Sequence, residues 1–118
     1  MELSRVEIIA SEAKVIELKD SLSRFGITGM TVFQVLGCGV QNGTLEYEID
    51  TYETPNLLPK QMVMLILPTK DLEKFIKFVK EELYTGHIGD GKIFISDISN
   101  VIRVRTGEEG YDAVTGKK

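Results

Sequence analysis

The amino-acid sequence predicts an α+β domain, and two features of its hydrophobic pattern carry this prediction. Two apolar stripes recur at spacings of three and four residues, as in amphipathic helices. Short runs rich in β-branched and apolar residues flank both stripes, which indicates strands. In chain order the elements read β-α-β, a long connection, and then β-α-β.

The first half of the chain begins with a predicted strand at residues 5–10, RVEIIA. A helix is predicted over residues 13–26, ending at Gly26 as helices with a C-terminal glycine do. Its apolar stripe consists of Val15, Leu18, Leu22 and Phe25. Residues 30–36, MTVFQVL, predict the second strand because they are β-branched and apolar.

The second half follows a connection of roughly 20 residues, a length that usually marks a functional or disordered loop. Residues 61–68, QMVMLILP, form a continuously apolar strand, so we expect both of its faces to be covered. A helix over 70–83 has one apolar face of Leu72, Phe75, Ile76, Val79 and Leu83. KIFISDI at 92–98 predicts a fourth strand, VIRVRT at 101–106 a short further strand, and the rest a polar tail.

This element order predicts the ferredoxin-like βαββαβ arrangement, an antiparallel sheet with two helices on one face. The other face of the sheet is then bare, and the strand at 61–68 is apolar on that side too. A bare apolar face indicates contact with other subunits, so we expect an oligomer. Residues 1–118 are expected to form a single domain, long enough to bury a core without disulfides.

Composition narrows the class of protein. Apolar residues make up 42% and charged residues 27% of the chain, as in ordinary globular proteins. The net charge of −4 disfavours a nucleic-acid partner. No apolar run approaches the roughly 20 residues of a membrane span, and the first residues lack a signal-peptide pattern. One cysteine, Cys38, permits no internal disulfide, so we expect a cytoplasmic protein.

Residues 85–94, TGHIGDGKIF, come within one residue of a P-loop motif. Ile93 stands where a P-loop has its metal-binding Ser or Thr, and the glycines follow a helix and precede a strand. The order is therefore reversed, and the stretch is not a P-loop. Its glycines can still turn successive N–H groups inward to hold an anion, with the charge of Lys92 at the edge.

Arg103 and Arg105 lie two positions apart on the predicted strand 101–106, so both side chains are expected on one face. A guanidinium group can donate two parallel hydrogen bonds to the oxygens of a phosphate. Together with the glycine turn they indicate a nucleotide or polyphosphate site. The alternative is a tight turn beside a solvated basic strand.

TGHIGDGKIF followed by VIRVRTGEEG, with GITGMTV near the start, resembles the PII signal-transduction family, the nitrogen regulatory P-II proteins. The resemblance runs over essentially the whole chain, and residues of about 39–58 correspond to the family's T-loop. It implies a ferredoxin-like homotrimer that binds ATP or ADP in clefts between subunits. It also implies a cytoplasmic, non-catalytic regulator whose loop contacts a target protein.

The resemblance assigns roles to individual residues. It implies a phosphate turn of Gly89, Asp90, Gly91 and Lys92, a clamp of Arg103 and Arg105, and a cleft wall of Gly37, Cys38 and Gly39. It places Gly29, Met30, Thr31 and Ile66 at the adenine. Gln41 matches a residue that ligates Mg²⁺ beside 2-oxoglutarate, and Lys60 one that pairs with a carboxylate of this effector.

Several positions depart from the family pattern. The loop base reads GCGVQNG, so Val40 and Asn42 replace two basic residues, and Met64 replaces a common acidic one. Glu53 stands where many members carry a modifiable tyrosine, so we expect no uridylylation. The acidic segment 46–53 argues against the family's best-known targets, and the loop at 40–58 is expected to bind another transporter or metabolic enzyme.

Two alternatives remain open at the level of sequence. A weak ATPase would need a base or nucleophile, and His87 is the only histidine. A trimer of the same fold that binds a metal or another ligand would need clustered His, Cys or carboxylate ligands. We expect no enzymatic turnover and treat both alternatives as secondary.

Overall fold

The computed structural model describes residues 2–27, 29–37, 57–86 and 90–115. The elements follow one another in the predicted order. They are β1 (Leu3–Ala10), α1 (Glu12–Phe25), β2 (Thr31–Gly37), β3 (Leu58–Pro68), α2 (Leu72–Leu83), β4 (Lys92–Ile98) and α3 (Tyr111–Thr115). A 3-10 turn at Thr69–Asp71 leads into α2, so this helix begins slightly later than its apolar pattern predicts.

The four strands form one sheet in the order β2-β3-β1-β4, and every neighbouring pair is antiparallel. Val6 at the centre of β1 pairs with Leu65 on one side and Ile95 on the other. This topology confirms the ferredoxin-like α+β fold that the element order predicts.

The ends of α1 show why the helix covers these residues. Ser11 caps the N-terminus, its hydroxyl accepting a hydrogen bond from the backbone N–H of Lys14 at 3.3 Å. Gly26 ends the helix in a left-handed conformation with φ of 112°, and its N–H donates to the carbonyl of Leu22. A glycine adopts this conformation without steric cost, which explains the sharp stop.

The hydrophobic core lies between the two long helices and one face of the sheet. Its largest fully buried side chains are Phe75, Ile8, Leu18, Leu22 and Leu65. Phe25 and Phe75 meet edge to face, with ring centroids 5.7 Å apart, and so join α1 to α2. The apolar stripes seen in the sequence therefore mark the core-facing sides of both helices.

The opposite face of the sheet carries apolar side chains that no helix of this chain covers completely. Met62, Met64 and Ile66 alternate with the buried residues of β3 and remain half-buried. On the flanking strands Phe33 is 41% and Phe94 is 47% exposed. Within the described residues of one chain, β3 is covered on its helix side, and the expected cover of its other face by further subunits stays a prediction.

Two sequence expectations for the C-terminal region were wrong. Residues 101–106 form a turn rather than a strand, with an isolated bridge between Ile102 and Glu109. The N–H of Gly107 donates to the carbonyl of Arg103 at 2.7 Å, and Gly107 adopts a φ of 76°. Because this φ favours glycine, the chain reverses here, which the β-branched pattern did not reveal.

The segment predicted as a polar tail instead contains the short helix α3. It lies against β3 and buries Ala113. The Nζ of Lys70 stands 5.9 Å from the ring centroid of Tyr111 and adds a cation–π contact. None of the helices formed by the described residues is long and apolar enough to cross a membrane.

Candidate functional site

The turn between α2 and β4 is organised by the carboxylate of Asp90. One oxygen accepts hydrogen bonds from the backbone N–H groups of Thr85, at 2.7 Å, and Gly86, at 3.0 Å. The other oxygen accepts from the hydroxyl of Thr85. The sequence assigned Asp90 to the phosphate turn, and the structure shows its carboxylate directed at the backbone of that turn.

These hydrogen bonds change the acidity of Asp90. The backbone N–H of Thr85 is the largest influence, followed by its hydroxyl, and together they lower the pKa of Asp90 from 3.8 to about 2. The ammonium of Lys14, 3.7 Å from the carboxylate, acts in the same direction. Asp90 therefore stays ionised, and its carboxylate oxygens accept hydrogen bonds from groups within the protein.

Gly91 allows the turn to approach β1 closely. Its φ is 124°, and a Cβ at this position would stand 2.8 Å from the carbonyl oxygen of Ile9. No side chain fits there without moving backbone. The glycine therefore brings Lys92 into register with Ile9 and starts β4 at the end of β1.

Three of the predicted binding residues gather at one end of the sheet, which we call the upper end. It contains the last residue of β2, Gly37, the start of β3 with Lys60, and the start of β4 with Lys92. The stem of Lys60 lies over Gly37, where a Cβ would be 3.1 Å from the Cγ of Lys60. Two ammonium groups and the glycine turn thus share the upper end, an arrangement suited to an anion.

The other predicted residues lie toward the opposite, lower end. Thr31 pairs with Met64, and Ile66 lies six residues along β3 from Lys60, which corresponds to about 20 Å of extended strand. Met30 packs against the hydrophobic core. Gly29 precedes it with open space around its Cα. The groups assigned to adenine and to phosphate are therefore separated within one chain.

Arg103 and Arg105 also belong to the lower end, because they follow β4 after its last residue. A guanidinium N–H of Arg103 donates to the carbonyl of Ala113 at 2.7 Å, and a second nitrogen lies 3.5 Å from Glu108. Arg103 thereby fastens α3 to the turn. Arg105 is exposed and makes no hydrogen bond or ion pair within the described part of the chain. The two arginines do not share a strand face, contrary to the sequence prediction.

Four predicted residues lie outside the described residues: Cys38, Gly39, Gln41 and Gly89. The expectations for Mg²⁺ at Gln41, for the loop departures at Val40, Asn42 and Glu53, and for His87 fall outside them as well. Among residues 2–27, 29–37, 57–86 and 90–115, no cluster of three or more His, Cys, Asp or Glu side chains is arranged to hold a metal ion.

The sequence prediction missed Lys14. This residue lies in the first turn of α1 and reaches across to the end of α2, where its Nζ donates to the carbonyl of Leu83 at 2.9 Å. One signal was present in the sequence. A cation in the first turn of a helix opposes the helix dipole, so its presence there indicates a partner elsewhere.

A ferredoxin-like sheet with a glycine turn and two lysines at one end, and two arginines beyond the other, defines a small α+β protein. The family model described as "Nitrogen regulatory protein P-II" matches residues 3–108 of the chain. The chain therefore belongs to the nitrogen regulatory protein P-II family.

Relatives and solved structures agree with this assignment. The chain is 38% identical to nitrogen regulatory protein P-II 1 of Methanothermobacter thermautotrophicus over 95% of this chain and 97% of that protein. It is 39% identical to the P-II protein of Pasteurella multocida, over 95% of this chain and 100% of the other. The Bacillus subtilis GlnK–ATP complex superposes with a TM-score of 0.77 at 33% identity, covering 95% of each chain. Arabidopsis thaliana PII bound to citrate gives 0.75 at 30% identity, over 95% of this chain and 92% of that one.

Proposed function

We propose that this protein is a non-catalytic, cytoplasmic regulator that binds ATP or ADP in clefts between the subunits of a homotrimer. One observation carries the proposal: the glycine turn with Lys60 and Lys92 lies at the upper end of the sheet, and Arg105 follows its lower end. A single chain leaves each group of cations incomplete. A second chain that brings its lower end to the first chain's upper end completes one polyphosphate site.

The bare face of the sheet supplies a reason for such assembly. Half-buried Met62 and Met64, together with exposed Phe33 and Phe94, form an apolar surface that another copy covers. In a closed cyclic assembly every copy makes the same contacts, and three copies give three identical clefts. The GlnK–ATP complex, at 33% identity, supports an adenine nucleotide as the ligand of these clefts.

Lys60 and Gln41 are the residues we propose for a second effector, 2-oxoglutarate, with Mg²⁺ held between it and the nucleotide. The ammonium of Lys60 at the upper end is suited to a carboxylate. A P-II protein bound to citrate, another multivalent carboxylate, supports this choice of ligand class.

The residues at 40–58 are proposed to contact the target, a transporter or metabolic enzyme.

A subunit-mixing experiment tests whether the clefts are shared. Lys92→Ala and Arg105→Ala are each expected to weaken ATP binding by about 1.5–3 kcal/mol, as the loss of a charge-assisted hydrogen bond does. After the two variants are unfolded and refolded together, about a quarter of the clefts in random trimers combine an intact lysine with an intact arginine. Calorimetry should then detect a tight-binding fraction of that size.

Two results would contradict this proposal. Parental ATP affinity in both single variants would show that the site lies elsewhere. Failure of the mixed protein to recover any tight sites, although mass spectrometry shows mixed trimers, would show that each site is built within one chain. Titrations with ADP and AMP, and with ATP plus Mg²⁺ and 2-oxoglutarate, then define the ligand set. A phosphate-release assay on the parent checks that bound ATP is not turned over.

Deletion of residues 44–54 tests the role assigned to the loop. We expect this variant to remain trimeric and to bind ATP with parental affinity, since the described upper-end groups are retained. Capture of a target protein should be abolished. If the deletion dissociates the trimer instead, the segment has an architectural role.

A further inference from the structure

Lys14 links three parts of the molecule that meet at the upper end of the sheet. From the first turn of α1 its Nζ donates to the carbonyl of Leu83, the last residue of α2, at 2.9 Å. The same nitrogen lies 3.7 Å from Asp90, just before β4. The side chains of Lys14 and Asp90 are only 24% and 23% exposed. This ion pair is therefore less screened by water than a pair between fully exposed chains.

The contact with Asp90 extends through that carboxylate to the backbone of the turn. Asp90 accepts from the N–H groups of Thr85 and Gly86, which lie at the opposite end of the turn. Lys14 thus contacts Asp90, and Asp90 in turn holds the backbone of Thr85 and Gly86. The two contacts fix where Gly91 and Lys92 stand relative to the end of α2.

Lys14 also affects the charge that an incoming anion meets. Asp90 is an ionised carboxylate two residues before Lys92, and an uncompensated negative charge there would repel phosphate. The neighbouring ammonium of Lys14 offsets that charge, and the backbone donors keep the carboxylate turned into the turn. Both effects favour phosphate over an uncharged ligand.

We propose that Lys14 is a positioning residue for phosphate binding: through Leu83 and Asp90 it holds the backbone of Thr85 and Gly86, and with it the position of Lys92, for an anion. This inference rests on the proposed function, because it concerns the same nucleotide site. The inference adds a residue of α1 that need not touch the ligand. Loss of Lys14 should therefore lower the affinity for ligands with phosphates and leave the affinity for adenosine nearly unchanged.

The test compares Lys14→Met with a matched control, Lys19→Met. Lys19 lies exposed on the same helix and makes no ion pair within the described residues. In calorimetric titrations of the trimer, Lys14→Met should weaken ATP binding about 10-fold and adenosine binding less than about 2-fold. Lys14→Arg, which keeps the charge, should recover most of the ATP affinity. The control should bind both ligands as the parent does.

A double-mutant cycle with Asp90→Asn shows whether Lys14 acts through the carboxylate. If it does, the double variant should lose no more ATP affinity than the more damaging single variant. Additive losses would assign Lys14 a direct contact with the nucleotide and overturn the positioning role. Equal losses for ATP and adenosine would also overturn it, because they indicate general damage to the fold.

Amide hydrogen exchange provides a readout that needs no ligand. Lys14→Met should raise the exchange rates of the Thr85 and Gly86 amides at least about 10-fold, while Lys19→Met leaves them unchanged. Unchanged exchange in Lys14→Met would refute the inference even if ATP binds the parent normally. If the parent binds no ATP, the proposed function fails and the phosphate role fails with it, whereas faster exchange would still show that Lys14 holds the turn.

Discussion

The stem of Lys60 lies against the backbone of Gly37, so closely that a Cβ at residue 37 would stand 3.1 Å from the Cγ of Lys60. These residues belong to neighbouring strands at the upper end of the sheet, where β2 ends and β3 begins. The absence of a side chain at position 37 therefore sets the path of the Lys60 stem and the position of its ammonium group.

Gly37→Ala is expected to displace Lys60 without unfolding the protein. The clash is with a flexible side chain, so we expect a cost below about 1 kcal/mol in the free energy of unfolding. The displaced ammonium should lower the affinity for a carboxylate effector at this end. Thermal unfolding measures the first effect and calorimetry with 2-oxoglutarate in the presence of Mg²⁺-ATP measures the second. A large loss of stability with unchanged effector binding would contradict this account.

Gly91→Ala should be more damaging than Gly37→Ala, because its Cβ would meet backbone. The position has φ of 124°, and the Cβ would stand 2.8 Å from the carbonyl oxygen of Ile9. We expect a loss of about 2 kcal/mol or more, measured by urea unfolding. Gly29→Ala is the matched control, since a Cβ there meets nothing within 4 Å and its φ is not positive. It should change stability by less than about 0.5 kcal/mol. Equal effects at both glycines would refute the steric argument.

The Asp90 turn should make stability depend on pH in the acid range. The pKa of Asp90 is about 2 in the folded protein, below its ordinary 3.8, because of the hydrogen bonds from Thr85. The unfolded state therefore takes up a proton first as pH falls. The stabilisation by the ionised carboxylate is complete above about pH 5 and is lost as the pH falls through 3.8 toward about 2. Urea unfolding at several pH values measures this trend.

Asp90→Asn serves as the comparison for that pH series. Asparagine cannot ionise, so the difference in unfolding free energy between parent and variant should shrink as pH falls from 5 toward 2. Glu82→Gln is a suitable control, because Glu82 accepts its hydrogen bond from Ser21, away from the turn. A parent-to-Asp90→Asn difference that stays constant over this range would mean that Asp90 has no lowered pKa.

We expect assembly to depend on the apolar side chains of the bare sheet face, among them Phe94. Phe94→Asp places a charge on that face, where Phe94 is 47% exposed in the single chain. We expect the protein to stay folded but to dissociate, because an unpaired charge buried between subunits is costly. Ile16→Asp, at a residue of α1 that is 56% exposed, should leave assembly unchanged. Light scattering after size exclusion measures the mass, and a trimeric Phe94→Asp would exclude this face as the interface.

The class of fold and most of its elements follow from the amino-acid sequence alone. Hydrophobic periodicity placed α1, α2 and the four sheet strands within a few residues, since burial against one core imposes the 3.6 and 2.0 periods directly. The glycines marked the turn between α2 and β4, where Gly86 and Gly91 adopt positive φ, and the anion site at this turn stays a prediction. The local sequence pattern gave a wrong prediction at residues 101–106, where β-branched residues form a turn. It also gave no indication of α3, because the composition of that segment is polar.

The division of the candidate site between the two ends of the sheet becomes visible in the folded chain and not in the sequence. Sequence distance alone suggests that Lys92 and Arg103 are neighbours, yet β4 runs between them from the upper toward the lower end. The contacts of Lys14 with Leu83 and Asp90 join residues about 70 positions apart, and no local rule connects them. Periodicity reports which side of an element is buried. The positions of charged groups relative to one another depend on sheet register and helix packing, which are properties of the folded chain.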